Sequence, residues 1–155
     1  MFSKAKRSQI MSRIRSKNTQ PEMAVRSRLL AAGFRYRLHR RDLPGNPDIA
    51  LPKYKIVFFV HGCFWHQHPN CKKKTIPKQN FAFWEKKLAG NVHRDSAAYR
   101  ELEKLGWKPV IVWECEVKKR PAGVIEKIER AIIGNHRSTG NVRQDSKIEE
   151  GATLA

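Results

Sequence analysis

The run His61-Gly62-Cys63-Phe64-Trp65-His66-Gln67-His68-Pro69-Asn70-Cys71 holds three of the chain's six His and two of its three Cys. Thiolate and imidazole together select zinc, and four of them in a tetrahedron close the ion off as a structural site. Cys63, His68 and Cys71, completed by Cys115 at the end of a distant apolar segment, supply such a Cys3His set. His61 and His66 are then left over. A neutral imidazole can take a proton from water or deliver one to a leaving oxygen. Between Leu43 and Trp84 the one acidic residue is Asp48, which follows the turn-forming Leu43-Pro44-Gly45-Asn46-Pro47 inside a cationic stretch. A lone carboxylate there suits Mg²⁺, and a carboxylate-bound Mg²⁺ with a base for the attacking water are the parts of phosphodiester hydrolysis. The plainer alternative is that Asp48 only shapes its turn.

The overall charge points to the same substrate class. In 155 residues, 32 Lys and Arg face 14 Asp and Glu, a net charge of +18. Such an excess favours a polyanion, because each neutralised phosphate releases counterions. Phe64 and Trp65, with Trp84 as a third, can stack on or wedge between bases, or simply pack over the ligand loop. From Met1 to Pro21 there is no acidic residue, and Ile10, Met11 and Ile14 fall at helical spacing. This segment reads as a basic arm over 1–18 that either packs on the body or pushes Met11 or Ile14 into a minor groove. A hydrophobic content of 40% excludes a wholly disordered basic chain. No apolar run reaches the roughly 20 residues of a membrane span. The basic N-terminus lacks a signal-peptide core, which makes a cytoplasmic protein the expectation. Three Cys do not make a disulfide scaffold.

These residues need elements to hold them. Thr19-Gln20-Pro21-Glu22 fits a capping box, so a helix to about Ala32 is predicted, with Val25 and Leu29 on one face and Gly33 as its stop. Phe34, Tyr36 and Leu38 alternate with Arg35, Arg37 and His39 as in a half-buried strand. Asp48–Leu51 and Ile56–Val60 read as two strands joined across Pro52-Lys53-Tyr54-Lys55. Pairing Leu51 with Ile56 puts Asp48 opposite Phe59 and diagonal to Val60. Ile56-Val57-Phe58-Phe59-Val60 is apolar throughout, so it is expected to lie centrally, buried on both faces. One or two helices follow over Phe81 to Leu105, then a strand at Val110–Trp113. Val124, Ile125, Ile128 and Ile132 make a last amphipathic helix closed by Gly134, ending a domain over 19–134. Residues 135–155 form a polar tail. The order of elements predicts an α/β sandwich around a central mixed sheet flanked by helices.

Taken together, Leu43-Pro44-Gly45-Asn46-Pro47-Asp48, His61-Gly62-Cys63-Phe64-Trp65-His66, Phe83-Trp84-Glu85-Lys86, Asn91-Val92-His93-Arg94-Asp95, Gly106-Trp107 and Val112-Trp113-Glu114-Cys115 resemble the bacterial very short patch repair endonucleases over about residues 4 to 133. The resemblance implies a restriction-endonuclease-like fold. It also implies nicking of double-stranded DNA 5′ of the T in a T:G mismatch, the product of 5-methylcytosine deamination. Carried over by position, Asp48 and the backbone carbonyl of Val60 would hold Mg²⁺, and His66 would be the general base. His61, Asp95 and Glu22 would support them. Phe64, Trp65 and Trp84 would intercalate from the major groove, Met11 and Ile14 would enter the minor groove, and Cys63, His68, Cys71 and Cys115 would hold structural zinc. The implied setting is a monomer in the bacterial cytoplasm, at the nucleoid, with mismatch-repair proteins as possible partners. In nucleases of this fold a PD-(D/E)xK pattern expects an acid and a Lys on the second strand; Val60 and His61 stand there instead, as in the family resembled. Spacing leaves open which of His66 and His68 is the zinc ligand. A zinc-stabilised DNA-binding module without catalysis is the competing class, and a restriction-type nuclease indifferent to mismatches is a third.

Overall fold

The computed structural model describes residues 3–12 and 17–138; Ile14, the side chain of Met11 and the tail from 139 onward lie outside the described residues. Helices α1 (Lys4–Ser12) and α2 (Gln20–Ala31) are followed by strands β1 (Arg37–Leu38), β2 (Ile49–Leu51) and β3 (Ile56–His61). Helix α3 (Phe81–Lys104) crosses over to β4 (Lys108–Trp113), and α4 (Glu114–Lys119) and α5 (Pro121–Ser138) complete the described residues. The four strands form one mixed sheet in the order β1-β2-β3-β4, antiparallel except for the parallel pair of β3 and β4. This mixed α/β architecture is consistent with a restriction-endonuclease-like fold. Among the described residues no helix is long and apolar enough to cross a membrane.

The apolar run in β3 explains the layering. Alternate side chains leave a strand on opposite faces. Ile56 and Phe58 join Val25 and Leu29 of α2 and Ile128 and Ile132 of α5 in one buried cluster. Val57 and Phe59 join Leu43, Leu102 of α3 and Trp107 in a second. β3 is therefore covered on both faces, as its sequence predicts. The expected register also holds: Leu51 pairs with Ile56 and Ile49 with Phe58, bringing Asp48 to Phe59. Lys55 turns the chain with φ of 55°, closing the short helical turn Pro52–Tyr54.

Other expectations are adjusted. Phe34 and Tyr36 do pack against the first cluster, yet only Arg37 and Leu38 pair as β1, and both are exposed. Phe81–Lys104 is one helix, not two. α5 runs through Gly134 to Ser138, because a glycine without positive φ weakens a helix and does not end it. α4 has no counterpart among the predicted elements. Thr19 caps α2 by accepting from the Glu22 amide at 3.4 Å, but the Glu22 side chain does not complete a capping box; it turns inward to Arg26.

Candidate active site and metal centre

Asp48 is held by its backbone first. Its amide donates to Phe58 O at 3.1 Å, and its carbonyl accepts from the His39 amide at 3.0 Å. Gly45 lets this turn press on the body: a Cβ there would lie 2.8 Å from Ala98 Cβ and 3.2 Å from the Phe59 ring, and its φ is +75°. The Asp48 carboxylate accepts from the Val60 amide at 2.8 Å, which fixes one oxygen. Burial pushes its pKa up to about 6 against the pull of the Val60 bond, and the charge of Glu22 adds to the rise. A desolvated carboxyl of this kind calls for a cation.

Behind Asp48 lies a network in which Glu22, the expected supporting residue, is joined by Arg26 and His39, which sequence reading missed. Glu22 is buried, bonded to Arg26, and lies 3.3 Å from His39 Nε2. Arg26 also reaches Asn18 at 2.8 Å and His39 Nε2 at 2.9 Å. Glu22, His39 and Asp48 each offer a ligand atom within 4.8 Å of the others. Arg26 pairs with Glu22 and so holds this buried carboxylate in place beside Asp48.

The second group is built where β3 ends against α3. His66 Nδ1 donates to Asp95 Oδ2 at 2.6 Å. A carboxylate can only accept, so Nδ1 carries the proton and Nε2 is the basic nitrogen. The His61 and His66 rings stack 3.6 Å apart at 10°. His61 is buried, and burial followed by the charge of His66 lowers its pKa to about 3. It is a neutral ring at physiological pH. Its Nε2 shares a 2.5 Å hydrogen bond with the hydroxyl of Tyr99, whereas Asp95 is 3.9 Å away. Burial raises the Tyr99 pKa, so the phenol stays protonated. Sequence reading gives Tyr99 no place, and Asn91, which donates to Trp65 O at 3.1 Å, enters it only as the first residue of a motif, without a role. The available signal was helical phase: Trp84, Leu88, Asn91, Asp95, Tyr99 and Leu102 form one stripe of α3.

Two residues beyond the paired His61 and Trp113, the chain places Cys63 and Cys115 side by side. Ligand atoms of Cys63, His68, Cys71 and Cys115 all lie within 4.8 Å of one another. His68 Nδ1 is 3.6 Å from Cys63 Sγ and 3.3 Å from Cys115 Sγ. A tetrahedral zinc with bonds of about 2.0–2.3 Å sets ligand edges near 3.5 Å, so the set fits the ion. Burial pushes the Cys63 thiol up to about 12, and a cation is what would let it ionise. Geometry separates the two histidines that spacing leaves open: His68 joins the cysteines and His66 joins Asp95.

Phe64, Trp65 and Trp84 come together as well, with ring centroids 5.1 to 6.0 Å apart and all three half-buried. Each keeps part of its surface in solvent, as a stacking platform requires.

Known proteins share this chain's pattern. The family model described as "DNA mismatch endonuclease Vsr" matches residues 1–73. The type II nicking enzyme V.NmeAIP of Neisseria meningitidis is 49% identical over 120 residues, covering 77% of this chain and 85% of that protein. The type II nicking enzyme V.XorIIP of Xanthomonas oryzae is 47% identical over 132 residues, 85% and 95% of the two chains. The DNA mismatch endonuclease Vsr of Escherichia coli is 37% identical over 139 residues, 87% and 88% of the two chains.

Proposed function

The chain belongs to the Vsr family of DNA mismatch endonucleases, and on that premise we propose that it nicks double-stranded DNA 5′ of the T in a T:G mismatch by Mg²⁺-dependent hydrolysis. The observation that carries the reading is the Asp95–His66 pair, which leaves Nε2 as the basic nitrogen of His66, at the same strand end as the Val60 amide that fixes the buried Asp48 carboxylate. The names of two relatives as nicking enzymes support scission of one strand.

In this reading Asp48 and the Val60 carbonyl hold Mg²⁺, which supplies charge neutralisation at the scissile phosphate. Asp95 keeps the His66 ring oriented with Nε2 facing outward as the base that takes a proton from water. His61, uncharged and pinned by Tyr99, buttresses that ring from behind. Glu22, positioned by Arg26, places a second carboxylate beside Asp48 and so adds to the pull on a divalent ion. Phe64, Trp65 and Trp84 enter the base stack beside the mismatch, where a wobble pair costs less to unstack than a matched one. Met11 and Ile14 of the basic arm 1–18 complete the grip from the minor groove. Cys63, His68, Cys71 and Cys115 bind structural zinc and tie the loop carrying His66 to the end of β4.

Single-turnover nicking tests this. A T:G duplex should be cut beside the T by wild type with Mg²⁺, and not with EDTA or by Asp48→Ala, while the C:G duplex of the same sequence stays intact. Equal cutting of both duplexes would sink mismatch specificity. Intact DNA in every arm, with affinity retained, would leave a binding module.

A further inference from the structure

Gly90 sits in the middle of α3, where a glycine weakens a helix. Among the described residues a Cβ added there would meet nothing within 4 Å, so none of them requires its small size. Its helix-surface neighbours are the residues three and four positions away on each side. Those are Lys86, Lys87, His93 and Arg94, all exposed. With Phe83 they line a groove of about 590 Å³ floored by Gly90. Among the described residues no ion pair involves Lys86, Lys87 or Arg94, whereas Lys73, Lys104, Lys127 and Arg130 are each matched to a carboxylate.

The groove is continuous with the aromatic platform. Lys87 Nζ lies 5.7 Å from the Phe83 ring centroid, and that ring lies 5.4 Å from Trp84. Arg94 donates to the Asn91 side chain, which in turn holds the Trp65 carbonyl. The basic helix α1 is brought to the same end of α3, since Arg7 Nη1 donates to Gln79 Oε1 at 2.7 Å. The bare helix surface at Gly90, ringed by four basic side chains, is shaped for a tetrahedral anion at close range.

We propose that this groove seats a backbone phosphate of the DNA duplex flanking the mismatch, a sequence-independent anchor that sets where the aromatic platform meets the base stack. It rests on the nuclease reading above. The absence of a side chain at Gly90 lets the phosphate approach the helix, and Lys86, Lys87, His93 and Arg94 close around it.

The test is fluorescence anisotropy with labelled T:G and C:G duplexes across a salt series, alongside thermal denaturation. Gly90→Leu should hold or raise Tm, because leucine is the better helix former, yet weaken binding to both duplexes by about tenfold. The double variant Lys86→Gln, Lys87→Gln should lower the slope of log K against log salt by about 1, the loss of one phosphate contact. A folded Gly90→Leu that binds within about twofold of wild type, or an unchanged salt slope, would overturn the seat alone. Wild type that binds neither duplex would overturn the nuclease reading and the seat with it.

Discussion

Replacing Asp48 with asparagine should stabilise the metal-free protein while abolishing nicking. The carboxamide is nearly isosteric and its oxygen can still accept from the Val60 amide, so the change removes charge and little else. In the folded protein Asp48 titrates at about 6 instead of 3.8. Between those values the folded state holds a proton that the unfolded state has released, so stability falls as pH rises through the window. Above about pH 6 the deficit is complete and corresponds to roughly 3 kcal/mol. Asparagine escapes it. Urea denaturation in EDTA should therefore show Asp48→Asn more stable by roughly 3 kcal/mol at pH 7.5, and by only about 1 kcal/mol at pH 4.5. At the higher pH this is a rise in Tm of about 6–12 °C. His61 shifts the other way, losing stability as pH falls from 6.5 toward 3, but it is common to both proteins and cancels in the difference. Added Mg²⁺ should close the gap by binding wild type alone. Equal stabilities in EDTA at pH 7.5, or a gap independent of pH, would refute the account of a carboxylate held in place for a cation.

Four further outcomes follow from the geometry. Tyr99→Phe leaves buried His61 Nε2 without its hydroxyl partner and should cost about 1–3 kcal/mol, read by urea denaturation. Asp95→Asn replaces a charge-assisted bond to His66 worth about 1.5–3 kcal/mol, so single-turnover nicking should fall by about 10- to 100-fold with DNA affinity kept. Gly45→Ala drives a methyl into Ala98 and Phe59 at a positive φ and should cost about 1–3 kcal/mol, with reduced nicking because Asp48 moves with the turn. The purified protein should carry one zinc per chain by elemental analysis, and Cys115→Ser should lose it together with thermal stability.

Much of this site is legible in the amino-acid sequence, for identifiable reasons. Asp48 meets Phe59 as expected because β2 and β3 are joined by a turn too short to allow another register. Cys63 and Cys115 can be paired across a long gap because each follows an apolar strand, and the two strands lie parallel. What escapes is long-range polar packing. Glu22 is legible through the resemblance, but Arg26 and His39 look like surface residues of a helix and a turn, and only burial beside Asp48 joins them to it. Tyr99 and Asn91 lie on a helix stripe that mixes tryptophan, leucine, amide, acid and phenol, so hydrophobic periodicity alone does not reveal it. α4 begins directly after Trp113 without a turn residue to mark it.

Helix α3 carries Trp84, Asn91, Asp95 and Tyr99 along one continuous helix. At about 1.5 Å per residue, the platform residue Trp84 and the base-orienting Asp95 are separated by roughly 16 Å of axis and share one angular phase. On the proposed function the helix would work as a gauge, converting the place where an aromatic ring enters the duplex into the place where a phosphodiester is presented. One residue inserted between them would turn the platform by about 100° relative to the histidines. Drift within this lineage is then expected to fall in the loop over 72–79, where length can change without altering that phase.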